Sequence, residues 1–192
     1  MTALPQVPGR LLTIADFLAL PADEQHRWEL LEGSLLMSPS PRPMHMAAVA
    51  RLDRQLAAQL PGDLESIPDV DVNLELSPPD QPGTVRRPDL VVIRRDALAR
   101  TEDTGGLLAA RDVLVIIEII SPGSRRMDTV VKRAEYADAS IPHYWIIDLD
   151  RPISLLACHH AGHFGYQDSG EVTERYDTAD PLPLSIDLTS LA

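Results

Sequence analysis

At 192 residues with 44% apolar side chains, the chain has the length and core content of one domain, residues 1–192. No window approaches the ~18 apolar residues of a transmembrane helix, and MTALPQVPGRLLTIADFLALP lacks the basic start, apolar core and cleavage site of a secretory leader. A net charge of −12 argues against a broad nucleic-acid-binding face while leaving a narrow one open, and a single cysteine, Cys158, rules out an intramolecular disulfide and suits a reducing cytoplasm.

Thr13-Ile14-Ala15-Asp16 reads as a capping box before Phe17-Leu18-Ala19-Leu20, a short helix ending at Pro21. Residues 28–37 read as a hairpin turning at Glu32-Gly33, followed by a loop, Ser38-Pro39-Ser40-Pro41-Arg42-Pro43. The spacing of Met46, Val49, Leu52, Leu56 and Leu60 predicts a helix over 44–60, ended by Pro61-Gly62. Val70, Val72, Leu74 and Leu76 alternate with Asp71, Asn73 and Glu75, as in a half-buried strand. A Pro/Gly loop over 77–84 precedes a strand at Leu90–Ile93. Residues 94–111 read as a helix fragment and a Gly105-Gly106 loop. A buried strand over 113–120 leads through the loop Ser121-Pro122-Gly123-Ser124 to a helix over 126–139. Tyr144–Asp148 is a further apolar strand, and 151–192 holds short strand-like pieces and turns. This order predicts an α/β protein with a sheet of mixed strand directions.

Within Val113-Leu114-Val115-Ile116-Ile117-Glu118-Ile119-Ile120, Glu118 is the one polar residue. Such a run predicts a central strand buried on both faces, where a lone carboxylate is costly unless paired. The candidate partners are a metal ion, a lysine or another acid sharing a proton. Asp89 follows Pro88 at the start of a neighbouring apolar run. Asp128, Lys132 and Tyr136 recur at i, i+4, i+8 on the following helix. Two strand carboxylates and one helix lysine are the parts of a metal-dependent phosphodiesterase site. Oxygen ligands suit Mg²⁺, with Mn²⁺ as substitute. Lys132 would orient the attacking water or neutralise developing charge. Individually, Asp89 also fits a turn, Asp128 and Lys132 an ordinary helix pair, and Tyr136 a core position. The pairs Arg86-Arg87, Arg94-Arg95 and Arg125-Arg126 each lie near a candidate segment.

Five segments together resemble the Uma-two-type putative restriction endonuclease family of the PD-(D/E)XK nuclease superfamily. They are Trp28-Glu29-Leu30-Leu31-Glu32-Gly33, the Ser38-Pro39-Ser40-Pro41 loop with His45, Arg87-Pro88-Asp89-Leu90, Ile117-Glu118-Ile119-Ile120-Ser121-Pro122, and Asp128-x3-Lys132-x3-Tyr136 continuing to His143-Tyr144-Trp145-Ile146-Ile147-Asp148. The resemblance implies a restriction-endonuclease-like core, a mixed central β-sheet flanked by helices, and Mg²⁺-dependent cleavage of DNA. It assigns Asp89 and Glu118 as metal-binding acids. The superfamily's lysine falls at position 120, where this chain has Ile120, and Lys132 is the implied substitute. Glu29 matches the acid of the first segment, to join the metal site or position a water; a hairpin surface acid is the other reading. His45, Ser121, Arg87 and Tyr136 are carried as candidate substrate contacts, with helix-cap, turn and core roles as their alternatives.

The resulting expectation is a metal-dependent endonuclease, with a homodimer or a specificity-giving protein partner suggested by analogy. Its competitor is a catalytically weak member acting as a nucleic-acid- or protein-binding module, which −12 and Ile120 favour. No glycine-rich phosphate loop or nucleophile elbow supports a metabolic enzyme. Cys158 is read as a buried hydrophobe. His159, His160 and His163 are read as an exposed turn rather than a zinc site.

Overall fold

The computed structural model describes residues 9–21, 27–38, 40–104, 106–121 and 123–192. Residues 1–8, and Pro39, Gly105 and Pro122 of the expected loops, lie outside the described residues. Helix α1 (Ile14–Leu18) carries the reciprocal capping box: Asp16 N–H donates to Thr13 Oγ1 while the Asp16 carboxylate accepts from Thr13 N–H. Strands β1 (Arg27–Leu31) and β2 (Ser34–Ser38) form the antiparallel hairpin. Glu32 and Gly33 turn it with φ of 46° and 82°, the double left-handed turn that matches strand twist.

Helix α2 (Pro43–Ala57) opens on a proline, whose missing N–H costs nothing in a first turn. Val49, Leu52 and Leu56 are buried as the spacing predicts. Met46 is exposed, correcting its place on the apolar face: burial starts at Ala48, where the helix meets the sheet. Strand β3 (Leu64–Pro68) was not expected, and its polar Glu65 and Ser66 fit an edge position. The expected strand over 70–76 shrinks to β4 (Val72–Asn73), because Asp69 and Glu75 adopt positive φ and break the extended run.

The chain continues through β5 (Val85–Arg86), β6 (Leu90–Arg94), α3 (Arg95–Thr104), β7 (Leu108–Ala109) and β8 (Val113–Ile120). A π-helical segment, Met127–Lys132, then runs into α4 (Arg133–Asp138) and β9 (His143–Asp148). The C-terminal pieces are long enough to pair as β10 (Ser154–His160), β11 (Tyr166–Thr173), β12 (Arg175–Thr178) and β13 (Leu184–Asp187). Six strands form the central sheet in the order β11-β10-β9-β8-β6-β3, in which only β8 and β9 run parallel. A second sheet has the order β2-β1-β5-β4-β7, and β12 pairs with β13.

β8 is buried on both faces, as its apolar run demands. Val115, Ile117 and Ile119 pack with Leu52, Leu56, Trp145, Leu184 and Ile186. Ile116 and Ile120 pack on the opposite face with Val72, Tyr136 and Tyr144. Each fully buried aliphatic side chain contributes about 1.5–3 kcal/mol. Helix α2 also grips the C-terminal hairpin. Gln55 donates to Asp187 O (3.1 Å) and accepts from Asp187 N–H (2.8 Å). Gln59 does the same to Ser185, at 2.9 and 2.8 Å. This is a mixed α/β architecture with sheets flanked by helices. Among the described residues no helix is long and apolar enough to cross a membrane.

Candidate active site

Alternation along β8 turns Glu118 to the face shared by Ile116 and Ile120. Leu90 pairs with Ile117, so extending the antiparallel ladder by one step sets Asp89 opposite Glu118. Asp89 is fixed twice: its Oδ2 accepts from Ile119 N–H at 2.7 Å, and its Oδ1 lies 2.8 Å from His45 Nε2. Glu118 Oε1 accepts from both Lys132 Nζ and Tyr136 OH, each at 2.8 Å. The Lys132 ammonium also lies 3.6 Å from Asp128 Oδ1 and 3.9 Å from Glu29 Oε1. Glu29, Glu118, Asp128 and Lys132 are all buried.

The helix that delivers Lys132 is π-helical through Met127–Lys132, where an α-helix was expected. Such wide turns recur at functional sites. Here the segment buries Asp128 and Lys132 together, and Tyr144 OH holds it by donating to Asp128 O at 2.9 Å. The second sheet contributes Glu29 from β1. Its Oε1 accepts from Arg87 N–H at 2.9 Å and its Oε2 from Arg86 Nη1 at 3.1 Å. Arg86 is fully buried and forks onto Glu135 of α4 through two 2.7 Å bonds.

Burial pushes the Glu118 carboxyl up, and the negative Asp89 and Asp128 push the same way against the pull of Lys132. Burial also raises Asp128. For Lys132, burial favours the neutral amine, but Glu118, Glu29 and Asp128 outweigh it and hold the ammonium charged. The hydrogen bond to Asp89 raises the His45 imidazole above its ordinary value despite partial burial. A group raised in the fold stabilises it most below the unfolded value, and that stability fades as pH climbs through the folded value. The stability lost on His45→Gln is therefore expected to be greatest below about pH 6.5 and to shrink above it. In an NMR titration His45 should titrate above the ordinary histidine value, and drop back in Asp89→Asn.

Four carboxylates (Glu29, Glu118, Asp128 and Glu135) thus surround two buried cations, Lys132 and Arg86, and Asp89 stands beside Glu118. Among the described residues, no group of three or more His, Cys, Asp or Glu is arranged to hold a metal ion. The donors that suit one are Asp89 and Glu118, adjacent hard oxygen ligands. Both bonds made by Glu118 fall on Oε1, so Oε2 keeps its lone pairs. Two carboxylates fit Mg²⁺, which keeps several waters and takes phosphate oxygens as further ligands.

Other singled-out residues lie outside this cluster or serve local structure. Arg87 forks onto Asp71 through two 2.7 Å bonds. Ser121 donates its N–H and hydroxyl to Ser124 Oγ, closing the turn. Arg125 pairs with Asp148, and Arg95 with Glu65. Ile120 is buried on the Glu118 face. His159 and His160 end β10 rather than sitting in a turn, because that strand runs on to pair with Tyr166 and Gln167; His163 alone matches the exposed-turn expectation. Burial pushes the Cys158 thiol up to about 12, which leaves it inert. Sequence reasoning passed over Arg86 and Glu135 and left Asp128 as a helix pair. The Arg86-Arg87 doublet was visible, but nothing in it tells which guanidinium turns inward.

The Uma2 family, described as putative restriction endonucleases, matches residues 14–189, a span holding every residue of this cluster. The chain belongs to the Uma2 family. No curated protein matches it. Its fold resembles the crystal structure of a putative nuclease from Anabaena variabilis ATCC 29413, with a TM-score of 0.64 and 19% identity. That similarity covers 94% of this Uma2 chain and 97% of the other.

Proposed function

We propose that this Uma2 protein is a metal-dependent endonuclease that hydrolyses DNA phosphodiester bonds. One observation carries the reading: Glu118, buried in the central sheet beside Asp89, is hydrogen-bonded by both Lys132 and Tyr136. Asp89 and Glu118 would hold Mg²⁺, or Mn²⁺ in its place. The bound ion would lower the pKa of a coordinated water and withdraw charge from the phosphate.

The protein's own groups supply the rest. Lys132 presents a fixed positive charge beside Glu118, where negative charge grows on the phosphate. The Tyr136 hydroxyl limits Glu118 to one orientation. His45 holds Asp89 from the other side and is a candidate phosphate contact. Ile119 N–H ties Asp89 to the strand that carries Glu118, so the two acids move as a unit. DNA is the proposed substrate and the cytoplasm the proposed compartment. A symmetric pair of copies would serve cleavage of both strands, and a protein partner would supply sequence specificity.

The ion pairs of Arg86, Arg87 and Arg125, with the net charge of −12, favour the second reading of a catalytically weak binding module. Incubation with supercoiled plasmid and with single-stranded DNA, in Mg²⁺, Mn²⁺ or EDTA, separates the two. The nuclease reading expects metal-dependent nicking that Asp89→Asn and Glu118→Gln abolish. DNA retention without cleavage, unchanged by EDTA, would favour the binding module.

A further inference from the structure

Lys132 has two glutamates within reach. Its ammonium sits 2.8 Å from Glu118 and 3.9 Å from Glu29. The two acids belong to different sheets, Glu118 to the central one and Glu29 to the hairpin sheet. Glu29 has a second countercharge beside it. That countercharge is Arg86, fully buried, with Nη1 on Glu29 and Nε and Nη2 on Glu135. Glu135 follows Lys132 by three residues, so one guanidinium ties the hairpin sheet to the helix that carries the lysine.

We propose that Arg86 is a positioning residue of the candidate site: by holding Glu29 and Glu135 together it keeps the Lys132 ammonium on Glu118. The inference rests on the nuclease reading for its effect on rate, but not for the contact itself. If Arg86 is removed, Glu29 becomes a buried charge whose nearest cation is Lys132. The ammonium is then drawn toward Glu29 and away from the atom it serves. Lysine at position 86 does not substitute, because a point charge on a flexible stem cannot fork onto Glu135 and reach Glu29 at once. A plain structural ion pair would alter stability alone.

The test compares wild type with Arg86→Lys. Five quantities are read: the thermal midpoint, Mn²⁺ binding by calorimetry, kcat and KM for plasmid nicking, and the Lys132 ammonium ¹⁵N resonance, assigned by its absence in Lys132→Met. The expected result is a shifted or broadened Lys132 resonance, unchanged Mn²⁺ binding and KM, and kcat lower by roughly tenfold to a hundredfold. A lower thermal midpoint with kcat and the resonance unchanged would overturn the proposal. Should Arg86→Lys fail to fold, Glu135→Gln, which weakens the same fork, carries the same expectations. If wild type cuts no DNA, the nuclease reading fails on its own. The resonance then decides, a shift supporting the positioning role and an unshifted signal overturning it.

Discussion

Lys132→Met is expected to lose roughly 10²–10³-fold in cleavage rate, the effect of removing one preorganised charge from the proposed reacting centre. It should also cost about 3–5 kcal/mol of stability near neutral pH, as breaking a buried pair leaves the other charge uncompensated. Glu118 would remain 3% exposed, with Tyr136 as its one described donor and Asp89 and Asp128 as like charges. The stability deficit has a pH signature. A carboxyl raised in the fold binds more protons there than in the unfolded chain, so stability rises as pH falls. The deficit should be largest in mild alkali and shrink as pH falls toward the ordinary carboxyl value. Urea denaturation at several pH values reads this directly. The double variant Glu118→Leu/Lys132→Met should regain most of the stability while staying inactive, because an apolar pair of similar volume replaces the ionic one. A single variant as stable as wild type at every pH would show that Glu118 is already protonated or hydrated beside Lys132.

Glu118 was legible from sequence because a single carboxylate stood in an apolar strand, where burial follows from the run itself. Asp89 was legible because its strand begins one residue later, and Lys132 because it follows at helical spacing. The rest was hidden for physical reasons. An i, i+4 pair looks the same whether the helix is α or π, and no glycine or proline marks Met127–Lys132 as wide. Arg86 and Arg87 are adjacent and chemically identical, yet one is sealed between the hairpin sheet and α4 and the other is held near the surface by Asp71. β3 lacked alternation because an edge strand tolerates Glu65 and Ser66. The alternation over 70–76 promised more strand than formed, since cross-strand partners and backbone φ, not pattern alone, set its length.

Gly33→Ala is expected to destabilise the protein by about 2–5 kcal/mol, from left-handed strain of roughly 1–2 kcal/mol and overpacking of about 1–3 kcal/mol. The backbone at Gly33 has φ of 82°, and an added Cβ would sit 2.7 Å from Leu11 Cβ, 2.8 Å from Pro82 Cβ and 2.9 Å from Leu12 N. Relief is hindered because Leu12 N–H donates to Gly33 O, while Gly33 N–H donates to Gly83 O. Moving the turn strains both contacts. The hairpin also carries Glu29, so cleavage should weaken with stability. Equilibrium unfolding and nicking of the same preparation would measure both. A stability loss below about 1 kcal/mol would mean that the Leu11–Leu12 segment yields freely, against the packing described.

The grip of Gln55 and Gln59 on β13 reaches further than the hairpin. Both glutamines, Gln55 in α2 and Gln59 in the turn that follows it, satisfy the edge of β13 at Asp187 and Ser185 as a neighbouring strand would. His45 stands ten residues before Gln55 on the same helix, at its opposite end. Residues 185–187 therefore act as a mooring: together with the packing of Leu52 and Leu56 they help hold the helix whose other end brings His45 to Asp89. A substitution that loosens this mooring is expected to reach the acid centre along α2, although among the described residues no hydrogen bond joins β13 to Asp89 or Glu118.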